Sequence, residues 1–174
     1  MKDKLNLFSN YVLELNSEAR ERDAGSLLGW SAHTLSDILG FDSAWYGWAQ
    51  IDSNGPIIHA STTLNLPGHY YDYWTGISEQ DLLVEQFLKN TRSTPTYDRH
   101  GRSQTDGMQG LSDAYGLKKM TMAMALRPGR AASLWMSVYR GGDAARAWTQ
   151  EECASLQCVL DHTADAARRV PLRE

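Results

Sequence analysis

Six tryptophans, eight tyrosines and three phenylalanines are spread unevenly over 174 residues, with much of the aromatic content crowded between Trp45 and Trp74. Trp45, Tyr46 and Trp48 stand in one short run. Tyr70 and Trp74 follow, and Asp81 and Tyr97 come after them. Side chains four apart share a helix face, so Tyr70 and Trp74 point the same way, and Asp81 lies about two turns further on, near a helix start. Apolar walls carrying a few fixed polar groups are what a buried small-molecule pocket needs. A tyrosine O–H or tryptophan N–H orients a carbonyl, and a carboxylate takes an amide N–H. Ser133 and Ser137, which alternate with Trp135, are further candidate donors or else face water. The plain alternative is that these aromatics are core, since aromatic side chains dominate cores in any case. Asp81 is equally suited to an N-cap, and the two roles coexist.

The chain carries few marks of catalysis. It has no phosphate-cradling glycine loop with a lysine, no Gly-x-Ser-x-Gly elbow and no His-Glu-x-x-His. His33, His59, His69, His100 and His162 are scattered, and Asp161-His162-x-x-Asp165 reads as a solvated helix face. Cys153 and Cys158 lack a nearby basic partner and imply no disulfide framework. No metal and no cofactor is expected. An enzyme pairing Asp81 with His59 or His69 ranks last among the readings.

The elements that must position these residues follow from periodicity. Leu5, Phe8, Val12, Leu15 and Ala19 make one helical stripe, and Leu28, Ala32, Leu35 and Leu39 make a second, ended by Gly40. Two β-runs around Asn54-Gly55 form a first hairpin, because that pair supplies the positive φ angles of a tight turn. Tyr70 to Ile77 and Asp81 to Leu88 read as short helices. The polar stretch 90–110 reads as a long surface loop and a candidate lid. A second hairpin turns at Pro128-Gly129 and alternates Met120, Met122 and Met124 against Thr121, Ala123 and Ala125. The methionines pack a core or line a pocket for an alkyl chain. Thr149 and Glu152 have capping-box spacing, and Cys153, Leu156, Leu160, Thr163, Ala167 and Val170 continue a long last helix.

This order predicts a single α/β domain over residues 1–174, an α-β-α sandwich in which helices flank a central antiparallel sheet, as in GAF and PAS domains. With 42% hydrophobic and 22% charged residues the chain is of ordinary globular composition. Seventeen Lys and Arg against 21 Asp and Glu, a net charge of −4, exclude the broad basic footprint of a nucleic-acid binder. No apolar run approaches the roughly 20 residues of a membrane span, and the N-terminus has no signal-peptide core. A cytoplasmic protein without a membrane partner is expected.

The block LGFDSAWYGWAQ, then NLPGHYYDYW, then Asp81-Leu82-Leu83 resembles the N-terminal autoinducer-binding domain of LuxR-type quorum-sensing transcriptional regulators. The family has Asn-Tyr-Pro, two spaced aromatics and Asp-Pro, where this chain has Asn65-Leu66-Pro67, Tyr70, Trp74 and Asp81-Leu82. Tyr70 and Trp74 invert the family's usual order of Trp and Tyr. The interval to Asp81 is about two residues shorter, and no proline follows the acid. Tyr97 after Pro95 is similar to a further family aromatic. The resemblance implies a small-molecule signal, an acyl-homoserine lactone first, with Tyr70, Trp74, Asp81 and Tyr97 at the ligand beside Trp45, Tyr46, Trp48 and Ser137. It also implies a homodimer and a C-terminal helix-turn-helix domain through which DNA is reached; that domain lies outside this chain, whose end resembles the start of an interdomain linker. The competing expectation is a ligand-free interaction and dimerisation module, a stand-alone anti-activator of the same family.

Overall fold

The two N-terminal stripes become α1 (Lys2–Glu21) and α2 (Ala24–Leu39) in a computed structural model that describes residues 2–127, 132–142 and 144–170. Asp23 caps α2 by accepting the amide of Ser26 at 2.8 Å, and Gly40 ends the helix in the left-handed conformation at φ 71°. Tyr11 of α1 joins the helices to each other, its hydroxyl lying 2.6 Å from both Ser31 Oγ and Thr163 Oγ1.

The chain then forms β1 (Ser43–Asp52) and β2 (Gly55–Leu64), the expected first hairpin, with Asp52 paired to Gly55. Next come α3 (Tyr70–Ile77), a 3-10 turn at Ser78–Gln80 and α4 (Leu82–Lys89). A short strand β3 (Thr96–Asp98) and α5 (Asp106–Tyr115) precede β4 (Leu117–Ala125) and β5 (Ser133–Gly141), and α6 (Gln150–Arg169) closes the domain. The five strands pair antiparallel in the order β2-β1-β5-β4-β3. The turn expected at Pro128-Gly129 lies outside the described residues.

Both faces of the sheet are covered, so it separates two cores. On one side Ala44, Tyr46, Ala123, Met136 and Val138 meet α1, α2 and α6 through Leu15, Leu35, Leu156 and Leu160. On the other, Trp45, Ala49, Met120, Met122, Met124, Trp135 and Tyr139 meet α3, α4 and α5 through Tyr70, Trp74, Phe87 and Leu111. The period-2 alternation of each strand assigns its residues to the two cores. The α-β-α sandwich expected from the sequence is the observed architecture.

The start of α6 is fastened to the end of α2 by one buried cation. Arg140 donates to the carbonyls of Leu39 and Gly40 at 2.6 and 2.9 Å and to Glu152 at 2.5 Å, and its guanidinium lies 3.6 Å from the ring centre of Trp148. Glu152 also completes the capping box with Thr149.

The stretch 90–110 is not the plain surface loop expected from the sequence. Thr96–Asp98 adds an edge strand to β4, and Thr105 caps α5 by accepting the amide of Met108 at 3.2 Å. Between them Gln104 donates to the carbonyls of Asp98, Arg99 and Gly101, while Arg99 makes two bonds to Asp113 of α5. The buried face of α5 consists of Gly107, Met108, Leu111 and Ser112. Half of it is small or polar, which leaves the helical stripe faint in the sequence.

Candidate functional site

Trp45 occupies the middle of the second core. Its ring lies 5.0 Å from that of Trp74, 5.1 Å from Trp135 and 5.4 Å from Tyr70, the last two edge-on. Three elements supply this cluster. β1 presents Trp45, β5 presents Trp135 and Ser137, and α3 presents Tyr70 and Trp74 from one helix face.

Asp81 joins α3 to α4. It has extended backbone angles after the 3-10 turn, and its Oδ1 accepts the amides of Leu83 and Val84 at 2.9 and 3.2 Å. Its Oδ2 accepts the indole N–H of Trp74 at 2.8 Å. The acid is therefore an N-cap and a partner for the aromatic cluster at once. Burial pushes its pKa above the usual carboxylate range, against the opposing pull of the bonds from Trp74, Val84 and Leu83. Beside it, Tyr70 donates to the Tyr139 hydroxyl at 2.8 Å. Burial raises both phenols, so both stay neutral at neutral pH.

A cavity of about 30 Å³ lies between the sheet and α4, with Trp45, Trp74, Asp81, Phe87, Trp135 and Ser137 in its wall. Such a space exceeds what one water needs but is narrow, so an organic ligand would have to move the walls. The remaining wall includes Met122 and Met124 from β4 and Pro56 and Ile58 from β2. A surface depression of about 340 Å³ shares Pro56, Trp74, Asp81 and Val84 with it, so the Trp74–Asp81 pair stands between the interior and solvent.

The fold thus brings together Trp45, Trp74, Asp81 and Ser137 at the cavity. Tyr70 packs behind Trp45. Tyr97 belongs to the same core, but its hydroxyl bonds Gln104 at 2.5 Å and it does not line the cavity. Tyr46 and Trp48 are a correction. Neighbouring strand residues point to opposite faces, so these two face α1, α2 and α6 while Trp45 faces the cavity. Phe87 and Val84 were missed as lining residues. Their signal is the α4 stripe with Leu83. The β2 residues gave none, because β2 is an edge strand of mixed polarity.

The arrangement offers donors and apolar walls rather than a nucleophile with its base. His59 meets Gln50 at 3.2 Å and His69 packs on the Tyr115 ring at 5.6 Å, and neither lines the cavity with Asp81. Among the described residues no group of three or more His, Cys, Asp or Glu could hold a metal ion, and no helix is long and apolar enough to cross a membrane.

Comparison with solved structures agrees with this architecture. The N-acylhomoserine-lactone-dependent LuxR-family transcription factor CepR2 of Burkholderia cenocepacia superposes with a TM-score of 0.63 at 14% identity, over 96% of this chain and 95% of that one. Residues 1–171 of Escherichia coli SdiA give 0.67 at 18% identity, over 97% and 96%. The phycocyanobilin-bound GAF domain of a cyanobacterial phytochrome gives 0.64 at 12% identity, over 92% and 94%. No family model matches the chain, and no curated protein does. Structural neighbours of this fold thus include a LuxR-family transcription factor, SdiA and a phytochrome GAF domain.

Proposed function

We propose that this domain senses a small-molecule signal in the cavity between its sheet and the helices α3 and α4, and passes that signal to a transcriptional output. The observation that carries the reading is the buried Trp74–Asp81 hydrogen bond in the wall of a largely apolar cavity, within a fold shared with an N-acylhomoserine-lactone-dependent transcription factor. A ligand that fits there stabilises one arrangement of α3 and α4 over another, and that differential affinity is the signal. An acyl-homoserine lactone remains the reference candidate. Its amide would compete with Trp74 for Asp81 Oδ2, so it enters only if that pair opens. Output through a homodimer, and through a helix-turn-helix domain for DNA, belongs to the same proposal, with α6 as the element that carries the change.

Mass spectrometry of the purified protein under native and denaturing conditions tests this. A non-covalent small molecule released on denaturation, and lost in Asp81→Ala, is the expected result. An empty protein whose thermal stability is unmoved by acyl-homoserine lactones would instead favour a ligand-free interaction module.

A further inference from the structure

The indole N–H of Trp45 is buried and has no hydrogen-bond partner. Trp45 is only 4% exposed, and its neighbours within the aromatic cluster present ring faces and edges, which are far weaker acceptors than an oxygen. An unpaired buried donor costs free energy that a correctly placed acceptor returns. Most other polar groups of the site are engaged: Trp74 with Asp81, Asp81 also with two backbone amides, and Tyr70 with Tyr139, on which the Ser137 hydroxyl of the same wall also acts.

On the sensor reading above, we infer that Trp45 is the anchoring donor for the ligand, and that the ligand is a compact, uncharged, largely apolar molecule carrying one hydrogen-bond acceptor such as a carbonyl. The first two terms follow from the wall of the cavity, and the third from Trp45, which lines it and holds the unpaired N–H. Compactness follows from its volume of about 30 Å³, which can grow only as far as the flexible thioethers of Met122 and Met124 yield. Neutrality follows from apolar walls that penalise any charge and from the Asp81 carboxyl, which disfavours an anion. The acceptor follows from the unpaired Trp45 N–H. A compact ligand of this kind leaves the Trp74–Asp81 bond intact, whereas an amide donor must displace it.

The test compares cyclopentanone with methylenecyclopentane, which share a ring and differ in the carbonyl oxygen. Binding to the wild-type protein is followed through the six tryptophan indole N–H resonances in ¹H–¹⁵N spectra, with that of Trp45 assigned through its backbone. Cyclopentanone should bind about tenfold more tightly and shift the Trp45 resonance downfield, and Trp45→Phe should reduce the preference to near unity. The wild-type spectra decide the matter even if Trp45→Phe fails to fold. Equal binding of both probes with no shift at Trp45 overturns the anchor and leaves the sensor reading standing. Binding of neither probe overturns the inference, while the sensor reading is decided separately by the mass spectrometry above.

Discussion

Asp81 Oδ2 accepts the indole N–H of Trp74 at 2.8 Å, seven residues away in sequence and across the junction of α3 and α4. The other carboxylate oxygen holds two amides at the start of α4. One side chain thereby sets the angle between two short helices that together roof the cavity.

Removing that side chain should be costly twice over. Asp81→Ala loses an N-cap, about 0.5–2 kcal/mol, and strands the Trp74 N–H, about 1–3 kcal/mol. A total near 3 kcal/mol is expected from urea denaturation. In a double-mutant cycle with Trp74→Phe, the two changes should couple by at least about 1 kcal/mol. Additive losses would mean the bond contributes nothing beyond its separate parts.

The two buried acids should leave opposite marks on stability against pH. Burial works against Glu152, yet its bonds from Arg140 and the Thr149 amide hold it down at about 2. A depressed folded pKa contributes stability above the ordinary value of 4.5, and that stability is lost as pH falls toward 2. Burial raises Asp81 above its ordinary 3.8, so the advantage of its neutral form is present below that value and is lost as pH rises through the folded one. Glu152→Gln should cost about 3 kcal/mol near neutrality, because Arg140 keeps its buried charge without a counter-ion. It should also flatten the acid limb of a plot of urea midpoint against pH. An acid limb as steep as wild type would show that Glu152 does not carry it.

The two faces of β1 should separate cleanly in binding experiments. Tyr46→Phe and Trp48→Phe alter the core opposite the cavity, so cyclopentanone affinity should stay within about twofold of wild type. Ser137→Ala lies in the cavity wall beside Trp135, and should change the affinity at least about fivefold. Calorimetry or a thermal-shift series on the three variants reads this directly. A large effect at Trp48 with none at Ser137 would relocate the site to the other side of the sheet.

That separation also shows what the sequence could and could not tell. Tyr70, Trp74 and Asp81 were legible as a group because helical spacing and a capping acid are local signals. Trp45, Tyr46 and Trp48 were grouped by proximity, although strand alternation alone divides them, and that division depended on knowing which face was which. The methionine alternation of β4 was read correctly for the same reason that it was simple: every second residue is apolar and long. The segment from Asn90 to Gly110 reads as a loop in the sequence because its order comes from long-range pairing. Strand β3 exists only against β4, and Gln104 and Arg99 bind groups that no local pattern names. The unpaired state of the Trp45 N–H is likewise a property of the assembled core.

The register that brings β2 over the cavity rests on Gly47. Its φ is 158°, and a Cβ built there would stand 2.0 Å from the carbonyl oxygen of Ala60 and 2.8 Å from Ser61 Cα. β1 lies between β2 and β5, with Gly47 paired to Ser61 on one side and Trp135 on the other, so it cannot move away from one neighbour without crowding the other. Gly47→Ala should therefore push β2 outward, displace Pro56 and Ile58 from the cavity wall, and cost about 3 kcal/mol. Gly76→Ala in α3 is the matched control. Its Cβ meets nothing within 4 Å, and a helical alanine should gain up to about 1 kcal/mol over glycine. Chemical denaturation measures both changes, and hydrogen exchange of the β2 amides locates the first. Equal stability of the two variants would show that β2 accommodates the methyl group without leaving its register.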